Sequence, residues 1–148
     1  MTSTKIEQSL RTARSEMLCM AVDSGITDVV KLLLSDGISD PTFNENYPIK
    51  RAAETGNAAI VVLLLEDGRA NPSFDDNVAF ISAVKCNNIE VVDLLLADPR
   101  VDPGANNNYS IGFAVKHNHW EIVDLLLADP RVGPTDNNNF PIRIATSS

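Results

Sequence analysis

The stretch DLLLADPRV occurs twice in this chain of 148 residues, at 93–101 and again at 124–132, so the two copies are 31 residues apart. The similarity extends beyond these nine letters, because residues 90–111 and 121–142 are identical at 16 of 22 positions. The triplet LLL follows the same spacing, at 32–34, 63–65, 94–96 and 125–127. A period of this length, kept along most of the chain, indicates a stack of repeated structural units.

Each unit contains two stretches with the pattern of an α-helix. The segment at 89–98 is apolar on almost every side, which is typical of a helix that neighbours cover on several faces. The segment at 109–116 is less apolar and has one inner stripe, formed by Ile111, Ala114 and Val115. The spacing predicts helices over 5–23, 27–35, 47–55, 58–66, 78–86, 89–97, 109–117 and 120–128.

Turn-forming residues recur between these helices with the same period. Gly or Asn stands at 25, 56, 87 and 118, and both tolerate the left-handed backbone at a helix C-terminus. Asn precedes the first helix of successive units at 46, 77, 108 and 139, where it is predicted to act as an N-cap. A helix pair of this size cannot bury its apolar face alone, so the units are expected to stack into a solenoid.

The two ends differ from the repeating unit. Residues 4–14 predict another helix, separate from or fused with the first helix of unit one, that covers the N-terminal end of the stack. At the other end a fifth unit stops after NFPIRIATSS, residues 139–148, and leaves the preceding helix half uncovered. We expect a monomer or a weak homodimer through this C-terminal end, with Phe140, Ile142 and Ile144 at the contact.

Composition and charge exclude several classes of partner. The net charge of −8 argues against nucleic acid and anionic membranes, which require clustered Lys and Arg. No apolar run reaches the roughly 20 residues of a membrane span, and the N-terminus lacks the layout of a signal peptide. Cys19 and Cys86 lie far apart without metal-type spacing, which favours a reduced intracellular protein. We expect a cytoplasmic location, with the nucleus as the alternative.

These residues resemble the ankyrin repeat family. The segment YPIKRAAETGNAAIVVLLLEDG at 47–68 follows the family pattern T-P-L-H-x-A-A-x-x-G-H-x-E-V-V-x-L-L-L-x-x-G without a gap, and residues 109–129 keep that register. The resemblance implies an all-α solenoid of four helix-turn-helix units, with an N-terminal capping helix and a partial fifth unit. It implies a single domain over 1–148, with units near 15–45, 46–76, 77–107, 108–138 and 139–148.

The chain departs from the family in its loops. The period is 31 residues, whereas the family repeats every 33 or so, and the segment that forms a β-hairpin finger in the family is shorter here. A turn around the Asp-Pro or Asn-Pro pair is expected in its place. The Thr that opens the first helix in the family is replaced by Tyr47, Val78, Tyr109 and Phe140. The preceding Asn is expected to take over its capping role.

The resemblance implies a protein–protein interaction module, since partners of ankyrin repeats lie on the concave face. Phe113 stands out because it occupies the position that Arg51 and Ser82 hold in other units, and it shares a helix face with His117. Alternatively, Phe113 and Trp120 pack over the open C-terminal end. The candidate partner-binding residues are Arg51, Asn57, Ser82, Asn88, Phe113, Lys116, His117, His119 and Trp120.

A second function, from a different class, stays open beside recognition. The chain could be a structural or scaffolding segment of a longer repeat array, without a dedicated partner and able to self-associate. Enzymatic activity is not expected, because no nucleophile, base or phosphate-binding motif is present. The HNHW stretch at 117–120 offers two histidines without a third ligand, so no metal site and no cofactor are predicted.

Overall fold

The structure is a computed structural model that describes residues 3–132. Across that range it contains eight α-helices and no strand. The first helices of successive units pack against one another in chain order, and the second helices do the same in a parallel row. This arrangement confirms the predicted helical repeat solenoid. The helices are α1 (Ser3–Ser24), α2 (Thr27–Ser35), α3 (Phe43–Thr55), α4 (Ala58–Asp67), α5 (Phe74–Lys85), α6 (Ile89–Leu96), α7 (Ala105–Lys116) and α8 (Trp120–Ala128).

The core runs through the stack in columns of residues 31 positions apart. One column, in the row of first helices, consists of fully buried alanines at 52, 83 and 114, whose small side chains allow these helices to approach closely. Another, in the row of second helices, consists of fully buried leucines at 64, 95 and 126. The repeat period is therefore the period of the packing, and each unit completes the core of its neighbours.

The predicted bounds of the second helices agree with the structure to within a residue or two. The first helices of units two to four, in contrast, begin four residues earlier than predicted, because each opens with a turn of the opposite hand. In α3 this turn has φ angles of 54°, 59° and 59° at Asn44, Glu45 and Asn46. The same conformation recurs at 75–77 in α5 and at 106–108 in α7. Three consecutive left-handed residues are unusual, and Asn and Asp tolerate that backbone best apart from Gly.

The third residue of each left-handed turn is buried, and in α3 and α5 it has a different role from the predicted N-cap. Asn46 Oδ1 accepts a hydrogen bond from the Asn71 amide at 2.9 Å, and Asn77 Oδ1 accepts one from the Asp102 amide at 2.8 Å. The prediction of an N-cap is therefore wrong for these residues. The carboxamide connects the start of the first helix to the loop that leads into the next unit, 25 residues further along the chain.

The shortened loops form turns around the Asp-Pro and Asn-Pro pairs, as predicted. Asp40 Oδ1 accepts a hydrogen bond from the Thr42 amide at 2.8 Å, and Asn71 Oδ1 accepts the corresponding bond from Ser73 at 3.0 Å. The prolines of these turns, Pro41, Pro72 and Pro103, are buried. Between residues 3 and 132 no β-hairpin finger is present, because the side-chain turn and the left-handed turn together take its place.

The N-terminal extension is fused with the first helix of unit one, which is one of the two arrangements left open by the sequence. It does not shield the end of the stack, however, since Leu10, Met17, Val29 and Leu32 are exposed there. The expectation that it covers this end is therefore wrong. The fifth unit, with Phe140, Ile142 and Ile144, lies outside the described residues, so the dimer through that end stays a prediction. Among residues 3–132, none of the helices combines the length and the apolar composition that a membrane span requires.

Candidate functional site

The exposed sides of α1, α3, α5 and α7 form one continuous surface, named here the first-helix face. Two columns of residues run along it, one helical turn apart. The first column contains Met20, Arg51, Ser82 and Phe113, and the second contains Asp23, Glu54, Lys85 and Lys116. The second column changes from negative to positive charge along the stack, which gives the face two chemically different ends.

The end of the face in units one and two is a network of charged and hydroxyl groups. Asp23 Oδ1 accepts hydrogen bonds from Tyr47 Oη at 2.7 Å and from Arg51 Nε at 3.1 Å. Arg51 Nη1 also lies 3.4 Å from Glu54 Oε2. The hydrogen bond to Asp23 raises the pKa of the Tyr47 hydroxyl above its ordinary value. Arg51, a predicted site residue, is therefore half-buried and already paired with two carboxylates.

The end of the face in unit four is a group of aromatic and imidazole rings. The rings of Phe113 and His117 stack with centroids 3.9 Å apart and planes inclined by 17°. Tyr109 lies 6.0 Å from Phe113 on one side, and His119 lies 6.0 Å from it on the other. Tyr109 is 42% exposed. The predicted association of Phe113 with His117, one helical turn apart, is confirmed.

Two unpaired lysines lie in the adjacent column on the same part of the face. Lys85 and Lys116 are exposed in the last turns of α5 and α7, and neither forms an ion pair within residues 3–132. Most arginines of the described chain, in contrast, are paired with carboxylates of their own or adjacent units. The rings in unit four therefore lie beside two positive charges that form no ion pair among the described residues, in a protein whose net charge is −8.

Three of the predicted site residues, one at the start of each second helix from α4 onward, stabilise the stack. Asn88 Nδ2 donates to the Ala53 carbonyl at 2.7 Å and to the Glu54 carbonyl at 3.1 Å, at the end of the preceding first helix. His119 Nδ1 lies 3.1 Å from the Val84 carbonyl, which requires the proton on Nδ1. Asn57 Oδ1 instead caps α4 through the Ile60 amide at 3.2 Å.

Gly56 makes the Asn88 contact sterically feasible. Its φ of 73° is left-handed, and an added Cβ would lie 2.8 Å from Asn88 Oδ1. In the later units Asn87 and Asn118 adopt the same left-handed conformation at the corresponding turn, with φ of 57° and 62°. The predicted turn column is confirmed, and in unit two it also leaves room for a link between units.

Ser82 and Trp120 complete the set of predicted site residues. Ser82 is half-buried on α5, between Arg51 and Phe113 in the same column. Trp120 is 50% exposed at the start of α8. The structure thus brings Phe113, His117 and His119 together, places Lys116 in the neighbouring column, and leaves Arg51 at the other end of the face.

A repeated Asp-x-Arg motif, which was not predicted from the sequence, joins successive units at the ends of the second helices. Arg100 forms a two-bond fork with Asp98, with Nε–Oδ1 at 3.0 Å and Nη2–Oδ2 at 2.8 Å. Its Nη1 donates to the Ala70 carbonyl of the preceding unit at 3.2 Å. Arg69 with Asp67 and Arg131 with Asp129 repeat the arrangement. These hydrogen bonds hold the pKa values of Asp67, Asp98 and Asp129 below their ordinary value.

Replacement of Arg100 by Met is expected to lower the free energy of unfolding by about 1–2 kcal/mol at neutral pH, because the Ala70 carbonyl and Asp98 lose their donor. Since the folded pKa of Asp98 is depressed, its contribution is present above the ordinary carboxyl pKa of about 3.9 and is lost as the pH falls through the folded value. Urea unfolding at neutral and acidic pH tests this. The difference between Arg100→Met and the unchanged protein should shrink in acid, and a difference independent of pH would contradict the pairing.

The two thiols differ in their surroundings. Burial, with Asp23 and Glu16 nearby, raises the pKa of Cys19 to about 11. Cys86 is exposed at the end of α5, on the first-helix face. Cys19 therefore stays protonated and poorly reactive at neutral pH, whereas Cys86 is accessible to reagents. Among residues 3–132 no group of three His, Cys, Asp or Glu side chains is arranged to hold a metal ion.

Comparison with known proteins agrees with this architecture. The family model for ankyrin repeats, in three copies, matches residues 18–110. A search of curated proteins found no match. The chain belongs to the ankyrin repeat family. Ankyrin repeats are generally protein–protein interaction modules, and catalysis is not typical of them.

Proposed function

We propose that this chain is a single repeat domain, 1–148, that binds an extended segment of a partner protein along its first-helix face, the concave side in the family. The observation that carries the proposal is the ring cluster of Tyr109, Phe113 and His117 beside the unpaired Lys85 and Lys116. Partly exposed aromatic side chains beside cations are the usual composition of a binding hot spot.

The packing of the repeat units does not require the ring cluster. The column that contains Phe113 holds Arg51 in unit two and Ser82 in unit three, and both units pack without an aromatic ring there. The stacked rings of Phe113 and His117 form a flat, largely preorganised surface, so a partner loses little side-chain entropy in ordering it. This supports recognition as the reason for the aromatic residues.

The charges along the face indicate the chemistry of the segment that fits it. Next to the rings, Lys85 and Lys116 attract carboxylates, whereas Asp23 and Glu54 occupy the same column at the other end. A segment with an aromatic or large aliphatic residue flanked by Asp or Glu would fit units three and four. If the segment continues into units one and two, basic residues there would complement the carboxylates.

The nine candidate residues would divide between contact and support. Phe113, Lys116, His117 and Trp120 would contact the partner directly, with Arg51 and Ser82 further along the face. Asn57, Asn88 and His119 would act mainly by fixing the turns, because each carries a structural hydrogen bond. Substitution of the supporting residues would therefore change stability together with affinity.

We infer that the chain has no enzymatic activity and requires no cofactor, and that neither nucleic acid nor membrane is its partner. We infer a cytoplasmic or nuclear location. The net charge of −8 supports the exclusion of polyanionic partners, since the local patch of Lys85 and Lys116 is small.

Selection from a displayed library of random peptides tests the proposal even though the natural partner is unidentified. The immobilised full chain is expected to enrich peptides with an acidic–aromatic consensus. Phe113→Ala should weaken their binding about tenfold or more, and Lys116→Glu should weaken it comparably. Glu66→Ala and Asp93→Ala, on exposed positions of the second helices, serve as controls and should leave affinity unchanged.

Thiol labelling provides a second readout from the same samples. An enriched peptide should slow the modification of Cys86 at neutral pH, while the protonated Cys19 contributes little background. Enriched peptides whose binding is insensitive to Phe113→Ala and Lys116→Glu would refute binding at this face. Failure to enrich any peptide would favour the alternative, a structural segment of a longer repeat array.

A further inference from the structure

The end face of unit one, formed by the outward sides of α1 and α2, carries most of the exposed large apolar side chains in the described range. Six of the nine lie on these two helices and Ile26 lies between them, whereas the remaining two, Tyr109 and Trp120, lie in unit four. Leu32 is 70% exposed and Val29 is 37% exposed. Of these seven, Met20 belongs to the first-helix face, and the others are Ile6, Leu10, Met17, Ile26, Val29 and Leu32.

The residues at the corresponding positions of units two to four show what the end face of unit one corresponds to. Val29 corresponds to Ile60, Val91 and Ile122, which are at most 1% exposed. Leu10 corresponds to three buried prolines at 41, 72 and 103, and Met17 corresponds to buried residues at 48, 79 and 110. Units two to four have a preceding unit, and within residues 3–132 unit one has none. Leu10, Met17 and Val29 therefore lie on the surface that other units bury against the unit before them, and Leu32 corresponds to half-buried leucines at 63, 94 and 125.

Unit one lacks the polar groups that join the other units to their predecessors. The position of Asn88 and His119, which reach back to carbonyls of the preceding unit, is held by Ile26. The position of Arg69, Arg100 and Arg131, which do the same from the loop, is held by Ile38. Both donor positions are thus isoleucine in this unit.

The isoleucines at positions 26 and 38 restrict which surface can pack on the end face of unit one. The far end of a repeat unit presents carbonyls such as those of Leu34 and Ala53, which need donors from the next unit. If unit one packed on such an end, Ile26 and Ile38 would leave those carbonyls without donors, at a cost of about 1–3 kcal/mol each. When two copies of the end face of unit one pack together, in contrast, neither copy presents carbonyls of this kind. No carbonyl is therefore left without a donor.

The charges that flank the face are also compatible with pairing to itself. Asp28 and Lys31 are exposed on α2, on either side of Val29 and adjacent to Leu32. When two copies of α2 pack antiparallel across a two-fold axis near Val29, Asp28 of each copy lies close to Lys31 of the other. The same patch can therefore supply both halves of a closed interface.

From these observations we propose that the end face of unit one is a homodimer interface, in which two copies of this chain pack face to face through Ile26, Val29 and Leu32 about a two-fold axis near Val29. The proposal is independent of partner binding at the first-helix face. It differs from the predicted contact through Phe140, Ile142 and Ile144 at the other end of the chain.

Sedimentation equilibrium of the full chain over a concentration series tests the proposal. The unchanged protein should show a monomer–dimer equilibrium, and Leu32→Asp should raise the dimer Kd about 100-fold. Because Leu32 is largely exposed in the single chain, this variant should retain the circular dichroism spectrum and unfolding midpoint of the monomer. Ile142→Asp is the matched control at the other end and should leave the Kd unchanged.

Site-specific crosslinking distinguishes the symmetric arrangement from other contacts. A Val29→Cys variant, with Cys86 replaced by Ser, should form disulfide-linked dimers under mild oxidation, because the two Val29 positions face each other near the axis. A strict monomer, a dimer unaffected by Leu32→Asp, or a dimer lost only with Ile142→Asp would overturn the proposal. Open-ended polymers would overturn it as well, since they require a head-to-tail contact.

Discussion

Leu95→Ala is expected to lower the free energy of unfolding by about 2–5 kcal/mol, the largest effect of any single truncation considered for this chain. Leu95 is fully buried in the row of second helices, in the column it shares with Leu64 and Leu126. Because unit three packs against a unit on each side, the cavity cannot be closed by collapse at a free end. Urea unfolding followed by circular dichroism measures the change.

Leu32→Ala is the matched control for this prediction, since it removes the same atoms from an LLL triplet in unit one. Leu32 is 70% exposed, so its truncation should change the stability of the monomer by no more than about 0.5 kcal/mol. The unfolding of both variants is measured at a protein concentration where the chain is monomeric. Equal effects of Leu95→Ala and Leu32→Ala would contradict the packing of the repeats described here.

Asn77→Ala is expected to cost about 2–3 kcal/mol, an unusually large loss for a polar residue in a connecting turn. Asn77 is buried with φ of 66° and ψ of 39°, and its Oδ1 accepts the Asp102 amide at 2.8 Å. Alanine loses the acceptor and tolerates the left-handed backbone less well, by about 1 kcal/mol. The midpoint of urea unfolding again provides the measurement.

Two further variants separate the two causes. Asn77→Gly keeps a backbone suited to positive φ but loses the hydrogen bond, so it should cost less than Asn77→Ala. Asp76→Ala tests the left-handed backbone alone, because Asp76 is exposed and its φ is 53°. If Asn77→Ala proved no more harmful than Asp76→Ala, the buried link between helix and loop would have no energetic importance.

Features that depend on local chemistry and the repeat period could be predicted from the sequence. The second helices, the turn at Gly56 and its equivalents, and the turn at Asn71-Pro72 all follow from residue types with strong local preferences. The proximity of Phe113 and His117 follows from their helical spacing. The repeat register converts each such local prediction into one for every unit.

The left-handed turns could not be predicted in this way. An Asn before an apolar run is usually an N-cap, and a run of left-handed residues is disfavoured for L-amino acids. The side chains of Asn46 and Asn77 find their partners 25 residues away, in the loop after the second helix. That long-range bond, together with packing, selects the unusual backbone over the common one.

The hydrogen bonds that link successive units could not be predicted from the sequence either. The recurring arginine at 69 and 100 is visible as an extra residue of the loop, but its acceptors are backbone carbonyls, which have no sequence signal. For the same reason the sequence pattern predicts that Asn88 and His119 bind a partner. The absence of these donors in unit one, at Ile26 and Ile38, acquires meaning only once the links in later units are known.

Chemical-shift mapping on the 15N-labelled chain, with a peptide enriched by display, locates the surface that binds the partner. We expect the titration to move the amide signals of α5 and α7 around Ser82, Lys85, Phe113, Lys116 and His117, and to leave those of the exposed residues of α4 and α6 unchanged. Signals that move mainly on the second helices, or on the end face of unit one, would contradict the claim that the first-helix face binds the partner.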